Sequence, residues 1–463
     1  MKKKYNSLIK NIGLFTIGSF GSKIIAFLMI PLYTSILDTS DYGTVDIIQS
    51  TVSLLMPLLL LSIQDATLRF GMDSNYEKKD VLSTTINIII KGTLILLFGI
   101  IIVSFFNIMQ LSISYWIFLF FSFVFGSLNN CFNIYLKAKN DAKTIAIGGI
   151  INTFVTCISN VFFLVVLNFG IIGYMISTLI GILLQLIYQV YFGKIYKDIH
   201  INNYTNLSKP MIKYSTPLIT NSIAWWINNA SDRYILTWIL GVASNGIYSI
   251  AYKIPNILTM FQSIFYNAWS ISAISEFNKS DDDGFIGNNY TIYSFLSIVM
   301  CSVLLLFNIP IAKILYSGEY YEAWICVPFL LVSSIFNGIS QFEGALFAAE
   351  KKTKEVSLTT FMGAIINTIC NIIFIYKFGI LGAAIATLIG YIVTWGLRTI
   401  FVRKFVKMKV CWKKHLLSVL LIIVQAIFAT NNCLYAVQII ILFCIVLLHR
   451  EYINKIINKL KKV

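Results

Sequence analysis

The sequence predicts an all-α polytopic membrane protein with about fourteen transmembrane helices, and three observations predict it. Of its 463 residues, 57% are apolar and only 12% charged, where a soluble domain carries about 25% charged residues. The mean hydropathy is +0.78, and the apolar runs approach the ~20 residues that cross a bilayer as a helix. They lack the ~10-residue alternating pattern of an outer-membrane barrel. Finally, Lys and Arg crowd into every second loop, as the positive-inside rule requires of a chain that crosses repeatedly.

The spans follow in order. The start, MKKKYNSLIK, is basic, and no small-residue cleavage site follows its apolar run, so the first run is expected to remain as a helix. Spans are expected at 11–37, 44–64, 83–104, 113–136, 144–167, 171–192, 214–240, 246–272, 286–308, 323–348, 355–376, 380–401, 414–430 and 434–448. Connections such as Asn168 to Gly170 and Lys377 to Gly379 are short enough to demand tight hairpins. With the N-terminus in the cytoplasm, the cytoplasmic segments hold 30 Lys and Arg, and the outside loops hold 2, Lys313 and Lys377. The richest cytoplasmic segment, with 7, takes in Arg398 to Lys414. A miscounted helix would reverse the sign of every later loop, so an even count with both ends inside is expected. The net charge of +16 is then topology and contact with anionic membrane lipid, with no nucleic-acid patch. In the tail from Arg450 to Val463, Ile453, Ile456, Ile457 and Leu460 recur at helical spacing between lysines, the pattern of an amphipathic helix on the inner membrane surface.

The chain carries an internal duplication. Phe169 to Gly181 reads FGIIGYMISTLIG and Phe378 to Gly390 reads FGILGAAIATLIG, with 9 of 13 positions identical at an offset of 209. Leu37 to Gly43 with Ile47 aligns with Leu240 to Gly246 with Ile250 at offset 203, and Ile150 to Thr153 aligns with Ile365 to Thr368 at offset 215. The repeat unit is six helices, an even number, so both copies share one orientation and are expected to be related by an axis along the membrane normal. The expected organisation is an N-terminal lobe at 1–192, a polar cytoplasmic linker at 193–213, a C-terminal lobe at 214–404, two extra spans at 405–449 and the tail at 450–463.

Ionisable groups inside a bilayer are costly and are functional candidates by default. Lys23 lies ~13 residues into the first span, about 20 Å deep at ~1.5 Å per residue. Arg233 lies in the outer part of span seven beside Asp232, Lys253 in the outer third of span eight, and Lys91 in the inner half of span three. Four such cations facing one cavity would make an anion site, with Arg able to clasp phosphate and Lys acting as a point charge. The plainer readings are that Arg233 pairs with a neighbouring acid and Lys91 snorkels to the cytoplasmic face. Asp46, Asp232 and Glu343 are candidates for coupling to a proton or Na⁺, with structural pairing the competing role. Asp65 and Arg69, four apart, are expected to pair on one helical face. Pro31, Pro57, Pro217 and Pro255 are expected to bend helices. Trp225, Trp226 and Trp269 have the chemistry to stack on sugar rings, but interior packing is the favoured reading.

No cysteine pair reads CxxC, and His200, His415 and His449 are scattered. No metal, ATP or dinucleotide motif occurs, so neither a metal nor another cofactor is expected. The run Asp281 to Asp283 is expected to be a solvated turn. A membrane glycosyltransferase or glycan polymerase would need a catalytic acid and a sizeable extramembrane domain, and neither is found.

The chain resembles the polysaccharide flippase family of the multidrug/oligosaccharidyl-lipid/polysaccharide exporter superfamily. The resemblance runs from Gly21-Ser22-Lys23 through Pro31-Leu32-Tyr33-Thr34 to Asp41-Tyr42-Gly43. It continues in Asp232-Arg233-Tyr234-Ile235-Leu236, Gly246-Ile247-Tyr248-Ser249 and Ala251-Tyr252-Lys253, and in the paired FGI-x-G segments. It implies a non-enzymatic transporter of the bacterial cytoplasmic membrane that flips an undecaprenyl-diphosphate-linked oligosaccharide from the inner to the outer leaflet by alternating access, for capsule, O-antigen or a related glycan. Lys23, Arg233 and Lys253 would then meet the diphosphate, and other polysaccharide-assembly proteins would be partners. A cation-coupled multidrug exporter of the same superfamily is the alternative. Drug exporters of that superfamily often place an acid in an N-terminal-lobe helix, and the first span here, from Asn11 to Leu37, has no Asp or Glu.

Overall fold

The structure is a computed structural model that describes residues 21–73, 75–106, 111–200, 205–275, 277–350, 352–430 and 435–450. Among these residues the chain is helical and contains no strand. Eight helices are long and apolar enough to cross a membrane, or up to ten if each of two bent pairs is one span. The described parts of the expected segments are largely helical, and the first and last, Gly21–Ile36 and Tyr435–Leu448, are short in the described residues. The amphipathic tail and residues 11–20 of the first expected span lie outside the described residues.

The chain divides into two compact units, 1–226 and 227–463. In the first unit, α1 (Gly21–Ile36) leads to α2 (Thr39–Leu59) and α3 (Ile63–Gly71), which meet at a 60° bend. Next come α4 (Lys78–Phe105), α5 (Ile113–Ala138), α6 (Ala142–Val166) and α7 (Gly170–Phe192). The boundary falls inside α8 (Thr205–Leu240), well past the linker expected at 193–213. The reason is packing. Leu207 and Met211 are buried in the first unit's core, Tyr214 meets Phe70 edge-on at 6.1 Å, and the Trp226 indole N–H donates to the Ser50 carbonyl at 2.9 Å. Residues 205–226 therefore belong to the first unit although they begin the helix of the second.

The second unit continues with α9 (Val242–Ala251), α10 (Pro255–Ser275), α11 (Phe285–Leu306), α12 (Asn308–Leu315), α13 (Val327–Ala349), α14 (Thr353–Phe378) and α15 (Ile380–Val402). The eighth expected span is broken at residues 252–254, where Pro255 opens α10, a position where its missing N–H costs nothing. The last helices, α16 (Trp412–Thr430) and α17 (Tyr435–Leu448), lie outside the duplicated pattern and pack within this unit. Gln425 locks α16 to α11 by accepting from Ser302 Oγ at 2.6 Å and donating to the Ser302 carbonyl at 3.0 Å.

The duplication is visible in local geometry, taken in each unit by itself. Gly170 and Gly379, the second residues of the two FGI-x-G segments, have φ of +53° and +61°, the left-handed region that glycine enters without a Cβ penalty. At the fifth residue of each segment a Cβ would strike the preceding helix, at Phe163 for Gly173 and at the Phe374 carbonyl for Gly382. Gly181 faces Asn152 and Gly390 faces Asn367, and those asparagines are themselves the third sequence match. The offsets 209 and 215 differ because α6 runs further past its asparagine than α14 does, ending in a π-helical stretch, Val161–Val166, and the turn after it is longer.

Two expectations about surface turns are corrected. Asp281 is fully buried. Its carboxylate accepts from the backbone N–H groups of Ile286, Gly287 and Lys409 at 2.8, 2.9 and 3.0 Å. It caps α11 and ties that helix to the segment before α16, while Asp282 and Asp283 stay exposed. Arg69 bridges Asp73 at 3.8 Å; it does not pair with Asp65. Both acids are four residues from Arg69, and the bridge forms to Asp73, just past the end of α3.

Candidate functional site

Of the four intramembrane cations, Lys23 on α1 and Lys91 on α4 belong to the first unit, and both are exposed. On α4, Lys91 shares a helical stripe with Leu94, Phe98 and Phe105, all strongly exposed apolar residues. In the second unit Arg233 is half-buried on α8, seven residues or ~10 Å before the end of that helix. Lys253 is half-buried in the turn between α9 and α10, where the broken span replaces the continuous helix expected.

The most developed polar constellation surrounds Asp232, which α8 places beside Arg233 and which is 2% exposed. Its Oδ2 accepts from three hydroxyls: Tyr248 of α9 at 2.7 Å, Thr387 of α15 at 3.2 Å and Tyr252 at 3.3 Å. Oδ1 has no hydrogen-bond partner among the described residues. Tyr391 donates to Asn229 Oδ1 at 3.2 Å one helical turn away. On α14, Asn371 donates to Asn367 Oδ1 at 3.0 Å. This is a carboxylate fixed by neutral hydroxyls through one oxygen, with oxygen chemistry suited to a proton or a hard cation. Among the described residues, no group of three or more His, Cys, Asp or Glu is placed to hold a metal ion. Asp46, half-buried on α2, lies in the other unit.

Glu343, on α13, is fully buried. Thr399 Oγ1 donates to its Oε1 at 2.7 Å, and Oε2 has no hydrogen-bond partner among the described residues. One residue before Thr399, Arg398 is 2% exposed. Its guanidinium donates to the Ser340 carbonyl at 2.6 Å, to Thr360 Oγ1 at 2.7 Å and to Thr359 Oγ1 at 3.2 Å. Sequence reasoning assigned Arg398 to a cytoplasmic segment because it stands near the end of a span. The repeat offset held the missed signal: 209 residues earlier stands Gln189, also fully buried and donating to Asn133 Oδ1 at 2.9 Å. The histidines are likewise less scattered than expected, since His415 and His449 line one small cavity with Lys414. Trp269 proves to be interior packing, stacked on Phe342 at 4.0 Å with its N–H on the Phe342 carbonyl at 3.0 Å.

Residues 8–271 match the family model described as polysaccharide biosynthesis protein. An uncharacterised membrane protein of Methanocaldococcus jannaschii is 26% identical over 245 residues, 49% of this chain and 57% of that protein. A probable low-salt glycan biosynthesis flippase of Haloferax volcanii is 26% identical over 219 residues, 44% of this chain and 46% of that protein. The chain thus spans about half the length of the relatives it matches. Among solved structures, the lipid II flippase MurJ in an inward closed conformation superposes with a TM-score of 0.69 at 18% identity, covering 95% of this chain and 99% of that one. A multidrug resistance MATE family transporter of the MOP superfamily, in an outward-facing conformation, gives a TM-score of 0.60 at 13% identity, covering 85% and 95%. At these identities the likeness is one of fold.

Proposed function

The chain belongs to the polysaccharide biosynthesis protein family, and from that premise we propose that it is a transporter that moves a lipid-linked oligosaccharide across a membrane by alternating access. The substrate is an undecaprenyl-diphosphate-linked repeat unit, carried from the inner to the outer leaflet of a bacterial cytoplasmic membrane. Both termini are cytoplasmic. Other polysaccharide-assembly proteins supply the repeat unit and take it up. The diphosphate is the group that Lys23, Lys91, Arg233 and Lys253 meet during transport. The observation that carries this reading is Arg233, a half-buried guanidinium in an apolar helix of the second unit. A guanidinium in a low-dielectric setting binds phosphate bidentately and strongly. Asp232 and Glu343, each with one carboxylate oxygen without a hydrogen-bond partner among the described residues, and Asp46 are the candidates for H⁺ or Na⁺ coupling.

The test is glycan export in a flippase-null strain expressing the protein. Lys23→Ala and Arg233→Ala are expected to abolish surface glycan at unchanged protein level. Normal export by both variants would sink the anion-binding reading. A drug exporter, the second reading, would instead confer resistance to cationic compounds and leave glycan export unrestored.

A further inference from the structure

The break between α2 and α3 gathers polar groups at membrane depth that the diphosphate does not need. Leu61 and Ser62 have φ of +53° and +50°, two successive non-glycine residues in the left-handed region. Such backbone is costly at each non-glycine residue and persists only where the surrounding structure holds it. Non-helical backbone at membrane depth occurs where it is buried in protein or lines a water-filled space. Leu60 and Ile63 are fully buried, so the break is packed on that side. On the other side, Gln64 Oε1 accepts from Asn130 Nδ2 of α5 at 2.6 Å, and Ser62 Oγ meets Ser222 Oγ of α8 at 3.5 Å. Asn130 is exposed. It stands eight residues, or ~12 Å, before the end of α5 at Ala138, and its bond to Gln64 sets α3 at the same depth. Next to Gln64, Asp65 is exposed, and no hydrogen bond or ion pair engages its carboxylate among the described residues, since Arg69 is turned to Asp73. A carboxylate and an amide facing hydrocarbon would be costly, so this face meets water or a polar ligand.

Acceptors outnumber donors on the face. Asn130 gives one amide N–H to Gln64 and presents its carbonyl oxygen and its second N–H; Asp65 presents two carboxylate oxygens. A negative, acceptor-rich face repels phosphate and suits a ligand rich in hydroxyl donors. We propose that Asp65 and Asn130, at the α2–α3 break, bind the hydroxyls of the sugar part of the substrate and select against acidic sugars. This rests on the lipid-linked glycan reading above, and it assigns the uncharged end of such a molecule to the first unit's broken helix.

The experiment uses full-length protein in flippase-null cells that make one of two undecaprenyl-diphosphate repeat units. One contains neutral hexoses only, and the other contains a uronic acid. Asp65→Asn keeps shape and hydrogen bonding but removes the like charge, and is expected to raise the acidic-to-neutral export ratio about tenfold. Asp65→Glu retains the charge and is expected to keep the wild-type ratio. Asn130→Leu is expected to depress export of both glycans at unchanged protein level. An unchanged ratio in Asp65→Asn overturns the proposal, as does an equal fall for both glycans, which would mark Asp65 as structural or cation-binding. The outcomes for the two readings separate. If Arg233→Ala exports normally while Asp65→Asn shifts the ratio, the diphosphate reading fails and this one stands. If the wild-type protein moves neither glycan, both fall.

Discussion

Arg398 shows how much of this protein's stability can rest on one side chain. Its guanidinium reaches three acceptors on two other helices, the Ser340 carbonyl on α13 and the Thr359 and Thr360 hydroxyls on α14. It is also the cation nearest in chain to Thr399, which donates to the buried Glu343. Removing one member of a buried charged network costs about 3–5 kcal/mol, because the groups left behind cannot find water. Arg398→Ala is therefore expected to lower the melting temperature of the detergent-solubilised protein by a wide margin. Arg398→Lys is expected to recover little of it, since an ammonium cannot span three acceptors as a planar fork does. A melting curve for Arg398→Ala within a degree or two of wild type would refute this assignment. The seven site residues named from the sequence share one property, charge in an apolar run, which is legible without coordinates. What surrounds them was not legible. Asp232 was read as a candidate for ion coupling or structural pairing, and three hydroxyls from α9, α15 and the turn after α9 converge on one of its oxygens. Tyrosines and a threonine in membrane helices give no one-dimensional signal of such convergence.

At the scale of elements, the two hairpins α6–α7 and α14–α15 turn a sequence repeat into a packing rule. Identity between the FGI-x-G segments predicts equivalence, and the glycine geometry supplies its cause: a left-handed turn at the second residue and a close helix crossing at the fifth. Gly382→Ala would drive a methyl group into the Phe374 carbonyl. Backbone cannot yield as a side-chain tip can, so α14 and α15 must separate, with an expected loss of about 1–3 kcal/mol. At Gly396, on the same helix α15, an added methyl would meet nothing within 4 Å. Gly396→Ala is expected to be neutral or to gain up to ~1 kcal/mol through helix propensity. Thermal unfolding of the two variants side by side checks the contrast, and equal effects would show that the hairpin is not closely packed. Helix breaks were legible only in part. Pro255 marks the interruption after α9 as expected, but Pro57 lies within α2 and the sharp bend comes at Leu61 and Ser62. Nothing in the local composition singles those two residues out. The buried Asp281 was missed for a related reason: its partner Lys409 is 128 residues away, and an acidic triplet seen locally looks like any solvated turn.

For the molecule as a whole, the charge pattern makes a claim that the helices alone cannot. The family and the fold fix a multi-pass membrane protein, yet eight to ten helices pass a strict test of length and apolarity, so that test leaves the parity of crossings open. The loops constrain it. On the fourteen expected spans, 30 cationic residues would fall on one side and 2 on the other, and at about 1 kcal/mol each near an anionic surface an inverted chain would be disfavoured far beyond thermal energy. Sidedness can be read with a membrane-impermeant maleimide on single cysteines in a cysteine-free background. Ser112→Cys and Glu319→Cys, at exposed positions in loops expected outside, should label on intact cells. Lys143→Cys and Asp282→Cys, exposed in loops expected inside, should label only after the membrane is opened. Ser112 and Lys143 flank α5, so their opposite behaviour tests one crossing directly. Glu319 and Asp282 extend the test to the second unit. If the first pair behaves as expected and the second is reversed, an odd number of crossings separates the copies, and the parallel six-helix duplication is wrong. If all four agree, the two copies enter the membrane from the same side, as a parallel six-helix duplication requires.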